Sequence, residues 1–192
     1  MIVERARAYI ITFIIFIVSD AYSNPIIQQI DQYISTLNIS KSKMMVVFDI
    51  DDTILSNKDP IESHNDFSIP HLIAYQHRAS LTKIQETKEV YDWLNYNNIK
   101  VTFITFRCEI HRLSTIKNLY EQGFRNWDSL IMYGEPCNYA ITKAVDFKRN
   151  ERKKLSLNGF HIVAAIGDQY SDLKGGYTDL FFKLKDPGYF TE

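Results

Sequence analysis

Residues 45–53 read Met-Val-Val-Phe-Asp-Ile-Asp-Asp-Thr, and this stretch decides the fold. Met45 to Ile50 is continuous and β-branched, as a strand buried on both faces should be. Three aspartates, Asp49, Asp51 and Asp52, then crowd the end of that strand. Working outward, Ile99 to Thr105 (IKVTFIT), Ser129 to Tyr133 and Ile162 to Ile166 (IVAAI) are runs of the same kind, and Leu180 to Leu184 is a weaker fifth. Helical stretches around Ile84–Tyr96, His111–Gln122 and Lys148–Leu157 separate them, the last two stopped by Gly123 and Gly159. Strand–helix alternation predicts an α/β fold, a parallel sheet with helices on both faces. Ligands of such sheets bind beyond the carboxyl ends of the strands. Residues from about 55 to 80 break the pattern: they are polar, carry Pro60 and Pro70, and read as an insertion over the strand ends that supplies substrate contacts. Asn24-Pro25 is a helix start, and Ile26, Ile27, Ile30, Ile34 and Leu37 make one apolar stripe behind it.

A carboxylate is rarely buried unless it is paired or holds a cation, so three in one turn call for a metal or a lysine. The two-residue period of a strand puts Asp49 and Asp51 on the same side of the chain. One can face a substrate as nucleophile while the other stands beside it as proton donor. The competing reading is an acidic turn that caps the next helix, although such caps use one aspartate. A calcium loop of the EF-hand type fails, because its sixth position would be Ile54 where glycine is needed.

Thr105 ends the second strand, where a hydroxyl can donate to a phosphoryl oxygen or serve the structure alone. Lys148 opens a run of charge, Lys148-Arg149-Asn150-Glu151-Arg152-Lys153-Lys154, most of which reads as a solvated helix face. Gly167-Asp168-Gln169-Tyr170-Ser171-Asp172 follows the fourth strand. Its two aspartates are four apart at a helix start, so one can reach a cation while the other supports it.

Together these motifs resemble those of the haloacid dehalogenase (HAD) superfamily of phosphatases. The resemblance runs from Met45 to about Asp186 and is closest to the acid-phosphatase branch of plant vegetative-storage-type and bacterial class B and lipoprotein enzymes. Asp49-x-Asp51-x-Thr53 matches motif I, Thr105 motif II, Phe147-Lys148 with Arg152 motif III, and Gly167-Asp168 to Asp172 motif IV. The resemblance implies a three-layer Rossmannoid sandwich with a small insertion, and a magnesium-dependent phosphomonoesterase acting through an aspartyl-phosphate. It assigns Asp49 as nucleophile and Asp51 as the acid that protonates the leaving oxygen and then activates water. Thr105, Arg107 and Lys148 would hold the phosphate. The choice of Lys148 over Arg149 or Lys153 rests on the resemblance alone. The Asp49 and Asp168 side chains and the Asp51 backbone carbonyl would hold Mg2+, with Asp172 behind them. One departure stands out: Phe106 lies between Thr105 and Arg107, where the branch usually has glycine. Two other readings remain open, a non-catalytic secreted storage protein on the same fold and a phosphotransferase passing the group to an alcohol.

Arg5 and Arg7 precede an apolar run from Tyr9 to Val18, with small residues at Ser19, Ala21 and Ser23. This reads as a signal peptide over residues 1–23, cleaved after Ala21 or Ser23, ahead of a single domain over 24–192. The run falls well short of the roughly 20 residues of a membrane span, so the mature protein is expected to be exported and free of one. A net charge of −1 argues against nucleic-acid binding through a basic face. The expected partner is a small phosphate monoester. The two cysteines, Cys108 and Cys137, lie beyond the second and third strands and could meet in one disulfide if those strands are neighbours.

Overall fold

Val46 and Phe48 turn to one side of the first strand and Met45 and Val47 to the other, and both sides are buried. This is why the run is continuously apolar rather than alternating. The structure, a computed structural model, describes residues 23–58, 68–134 and 141–185. In it, β1 (Met44–Phe48) is the centre of a five-stranded parallel sheet with β4 (Lys100–Cys108), β5 (Ser129–Tyr133), β6 (His161–Gly167) and β7 (Leu180–Lys183), ordered β5-β4-β1-β6-β7. The strands are those expected from the sequence, shifted by one or two residues at their ends, except that β4 runs three residues past Thr105.

One face of the sheet is covered by α1 (Pro25–Ser35), α3 (Gln85–Tyr96) and α4 (Arg112–Glu121), whose Ile30, Val90, Leu94 and Leu119 join Phe48 and Phe103. The other face is covered by α5 (Ile141–Leu157), where Leu155 packs with Met45, Val47, Ile104 and Ile162. These are the three layers of the sandwich. Asn24 caps α1 by accepting from the Ile26 N–H at 3.0 Å, and its amide donates at 2.9 Å to the Glu86 carbonyl of α3, which ties the arm to the domain. Gly123 and Gly159 take φ of 86° and 88°, the left-handed helix stop that glycine adopts without a Cβ clash.

The insertion contributes a short antiparallel pair, β2 (Leu55–Ser56) with β3 (Thr82–Lys83), and α2 (Ile69–Arg78), which packs on α4. Cys108 is buried and disulfide-bonded. Cys137, like the signal segment through residue 22, lies outside the described residues. Among the described residues no helix is long and apolar enough to cross a membrane.

Candidate active site

The chain leaves β1 toward β4 and β5 on one side, then returns across α5 to β6 and β7 on the other. The order therefore reverses between β1 and β6, the switch point where a parallel sheet opens a crevice at its carboxyl edge. Asp49 stands at the end of β1 and its backbone N–H still donates to Ile166 of β6, at 3.0 Å. Asp168 follows β6 directly. Both carboxylates are buried, as is Asp172 on α6 (Tyr170–Leu173), and each offers an oxygen within 4.8 Å of the others.

Lys148 is the cation that meets them. Its Nζ lies 2.7 Å from Asp49 Oδ1 and also pairs with Asp172. The helix that carries it begins at Ile141, not at Lys148, so the lysine sits mid-helix. Ala144, Lys148, Arg152 and Leu155 recur at helical spacing and are all buried, while Lys153 and Lys154 face solvent. The charged run thus divides by helical phase rather than by composition.

Arg152, one turn on, does not reach the carboxylate oxygens. It donates to the backbone carbonyls of Asp172, Lys174 and Gly176, the last at 3.1 Å, and so fixes the turn that presents Asp172. Burial lowers its pKa to about 10, against the opposing charge of Asp172. Gly167 is required by the same turn. A Cβ there would lie 2.2 Å from Asp172 Oδ2, the oxygen that accepts from the Gln169 N–H at 2.9 Å.

The electrostatics follow from crowding. Burial raises the Asp49 carboxyl well above its ordinary range; Lys148 opposes this, while Asp172, Asp168 and Asp51 add to it. Burial, then the charge of Asp172, lifts Asp168 to about 7. Burial works against the Lys148 ammonium, but Asp172 and Asp49 outweigh it and push its pKa up.

Asp51 is in different company. Arg107 grips it with both arms of the guanidinium, Nε to Oδ2 and Nη2 to Oδ1, each at 2.8 Å. Asn57 Nδ2 donates to Oδ1 at 3.1 Å and Gln76 Nε2 at 3.3 Å. Burial alone would raise this carboxyl; the charge and hydrogen bonds of Arg107, helped by Asn57, hold it below the ordinary value. Asn57 also fixes the turn, its N–H and amide donating to Asp52, whose φ is 52°.

Thr105 is buried, and its hydroxyl accepts the Arg107 N–H at 3.2 Å, which leaves the O–H to donate elsewhere. The ladder between β4 and β5 shifts register between Thr105 and Cys108, and the bulge brings Arg107 inward against Thr115 at 3.3 Å. Phe106 packs its ring 4.3 Å from that of Tyr133 and 6.2 Å from that of Phe147. In place of the usual glycine it builds an aromatic patch beside Thr105 and Lys148.

The structure therefore brings Asp49, Lys148, Asp168 and Asp172 into one cluster and sets Asp51 beside Arg107 on the insertion side. Sequence reasoning missed Asn57 and Gln76, which are single amides in a polar stretch with no pattern. It also missed Thr53 as a partner of Asp168: the threonine hydroxyl donates to Asp168 Oδ1 at 3.3 Å and accepts its N–H at 3.2 Å. The motif does contain Thr53, and a hydroxyl four residues after the first aspartate is the signal that could have found it.

A doubly wound parallel sheet with a lysine-balanced group of aspartates at its switch point defines the class. The chain belongs to subfamily IIIB (acid phosphatase) of the HAD superfamily, whose family model matches residues 4–192. Among curated proteins it is 32% identical over 152 residues to the stem 28 kDa glycoprotein of Glycine max, covering 76% of this chain and 59% of that protein. It is 31% identical over 149 residues to acid phosphatase 1 of Solanum lycopersicum, covering 75% and 58%. The chain thus spans less than two thirds of the length of these relatives. Among solved structures, the class C acid phosphatase from Bacillus anthracis with tungstate bound shares the fold at a TM-score of 0.59 and 18% identity, over 76% of this chain and 59% of that one.

Proposed function

We propose that this chain is an exported acid phosphatase that hydrolyses small phosphate monoesters through an aspartyl-phosphate on Asp49. The observation that carries the reading is the single buried ammonium of Lys148 shared between Asp49 and Asp172, with Asp168 alongside. Three buried carboxylates against one lysine are short of positive charge, and the donor set is all oxygen, which suits a hard cation such as Mg2+. Asp49 and Asp168 with the Asp51 backbone carbonyl would hold it, with Asp172 supporting from behind. When bound, the ion neutralises the phosphate and the nucleophile.

The remaining chemistry belongs to the chain. A carboxylate oxygen of Asp49 attacks phosphorus and the bond to the leaving oxygen breaks. The leaving oxygen takes a proton from Asp51. Water then gives a proton back to Asp51 and attacks the same phosphorus, and the bond to Asp49 breaks with release of inorganic phosphate. Thr105 and Lys148 donate to the phosphoryl oxygens as charge builds there. Arg107 is engaged by Asp51 before substrate arrives, so phosphate must draw the guanidinium away for Asp51 to carry a proton. Export is supported by the signal-like segment and by a disulfide at Cys108, which oxidising compartments favour. Sequence similarity to a protein named vegetative storage protein 1 keeps a storage role as the second reading; the nucleophile position, Asp49, is intact.

Mature protein should hydrolyse 4-nitrophenyl phosphate with Mg2+ and lose that activity in chelator; equal rates in both would sink the metal reading. Stability should carry the same signature. Asp168 has a folded pKa near 7 against about 3.9 unfolded, so the folded state holds the extra proton between those values. The protein without metal should therefore melt higher at pH 5 than at pH 7. Asp51 acts only below about pH 4 and Lys148 only above about pH 10, so neither masks this window. Saturating Mg2+ should raise the melting temperature by roughly 5–10 °C at pH 7 and by less at pH 5, where protons compete for the carboxylates. A melting temperature that rises from pH 5 to pH 7 without metal, or ignores Mg2+, would count against the assignment.

A further inference from the structure

Four donors converge on Asp51, and two of them come from the insertion. Arg107 supplies Nε and Nη2, each at 2.8 Å. Asn57, just beyond β2, donates at 3.1 Å, and Gln76, on the third turn of α2, donates at 3.3 Å. Three of the four, Arg107 Nη2, Asn57 and Gln76, land on Oδ1; Arg107 Nε alone, among the described residues, lands on Oδ2. A carboxylate oxygen has two lone pairs in the plane, so Oδ1 is saturated and Oδ2 is left as the oxygen able to carry a proton. Gln76 is itself buried, with 9% of its surface exposed, and among the described residues its amide has no other hydrogen-bond partner.

We propose that Gln76 is a positioning residue for Asp51: with Asn57 it pins Oδ1, so that Oδ2 faces the leaving group when Arg107 turns to the phosphate. The insertion then serves the chemistry itself, through an amide on α2, besides any contact it makes with substrate. This rests on the reading of Asp51 as the acid that protonates the leaving oxygen. The consequence is selective. Loosening Asp51 should matter little when the leaving group departs without a proton and much when it cannot.

Gln76→Met keeps length, packing and helix propensity while removing the amide, and Gln76→Asn keeps the amide but draws it back out of reach. Turnover is measured on 4-nitrophenyl phosphate, phenyl phosphate and an alkyl phosphate such as glycerol phosphate, with Mg2+ present and melting temperatures recorded in parallel. For either variant, kcat on the alkyl ester should fall about tenfold further than kcat on 4-nitrophenyl phosphate, with phenyl phosphate between and KM changed by less than about threefold. A loss of equal size on all three esters, or one confined to KM, overturns the positioning role. Should the Met variant fold poorly, the Asn variant carries the test. Asp51→Asn is assayed beside them. If it turns over the alkyl ester at the wild-type rate, the reading of Asp51 itself fails. If it is inactive there while both Gln76 variants lose uniformly, only the Gln76 proposal fails.

Discussion

Asp49→Asn should abolish turnover, by at least about a thousandfold, and should leave no phosphoryl group on the protein. The amide keeps the shape of the side chain but is a poor nucleophile, and the 2.7 Å contact from Lys148 loses its anionic partner. Asp51→Asn should be nearly as inactive on ordinary esters for a different reason: it can neither protonate the leaving oxygen nor activate water. With 4-nitrophenyl phosphate, whose leaving group departs without help, the first step survives and the second does not. The aspartyl-phosphate should then accumulate, and peptide mass spectrometry should find it on Asp49. Wild-type rates in Asp49→Asn, or phosphate trapped on any other residue, would overturn the division of labour. Stability separates the two variants as well. Asp49→Asn removes one charge from a crowded buried group and should hold or raise the melting temperature, whereas Asp51→Asn leaves the Arg107 guanidinium, with 1% of its side chain exposed, without its carboxylate.

What the sequence could disclose follows from how local each signal is. The sheet was legible because a strand buried on both faces must be continuously apolar, as the runs Met45 to Ile50, Asp49 apart, and Ile162 to Ile166 are. Helix ends were legible at Gly123 and Gly159 because backbone of positive φ selects glycine. The start of α5 was not, since the run of charge that opens at Lys148 drew the boundary there. Residues of the candidate site were legible where the motif lies on one strand end or one turn, as with Asp49, Asp51, Asp168 and Asp172. Gln76 and Asn57 were not. Gln76 reaches Asp51 because α2 brings it back to the turn after β1, and Asn57 because that turn curls onto itself, and no spacing along the chain encodes either relation. Arg107 was placed by motif, but its partner was not. That it closes on Asp51 follows from the bulge after Thr105, which a linear reading cannot see.

Lys148→Met should harm both stability and turnover, and the two should respond differently to pH and to magnesium. Methionine matches the length of the buried stem but removes the charge that faces Asp49 and Asp172. Deleting one partner of a buried ion pair typically costs about 3–5 kcal/mol, because the other partner stays buried without compensation. Against a total stability of about 5–15 kcal/mol, that is a large share. The deficit should be greatest at pH 7 without metal. Asp49 and Asp168 already have raised pKa values, and removal of the lysine raises Asp49 further. A carboxyl whose folded pKa lies above its unfolded value stabilises the fold at low pH and loses that contribution as pH rises through the folded value. Lys148→Met should therefore lie closer to wild type at pH 5 than at pH 7 in urea or thermal unfolding. Magnesium should recover part of the stability at pH 7, since a divalent ion can neutralise the same carboxylates. It should not recover turnover, which should stay about 100- to 1,000-fold low, because the proposed donor to the phosphoryl oxygens is gone. Lys148→Arg should fold better than Lys148→Met and still turn over poorly, as the planar guanidinium cannot replace a compact ammonium between two carboxylates. Equal unfolding free energies for wild type and Lys148→Met at pH 7, or near-normal rates once magnesium is supplied, would show that the cluster is balanced by something other than this lysine.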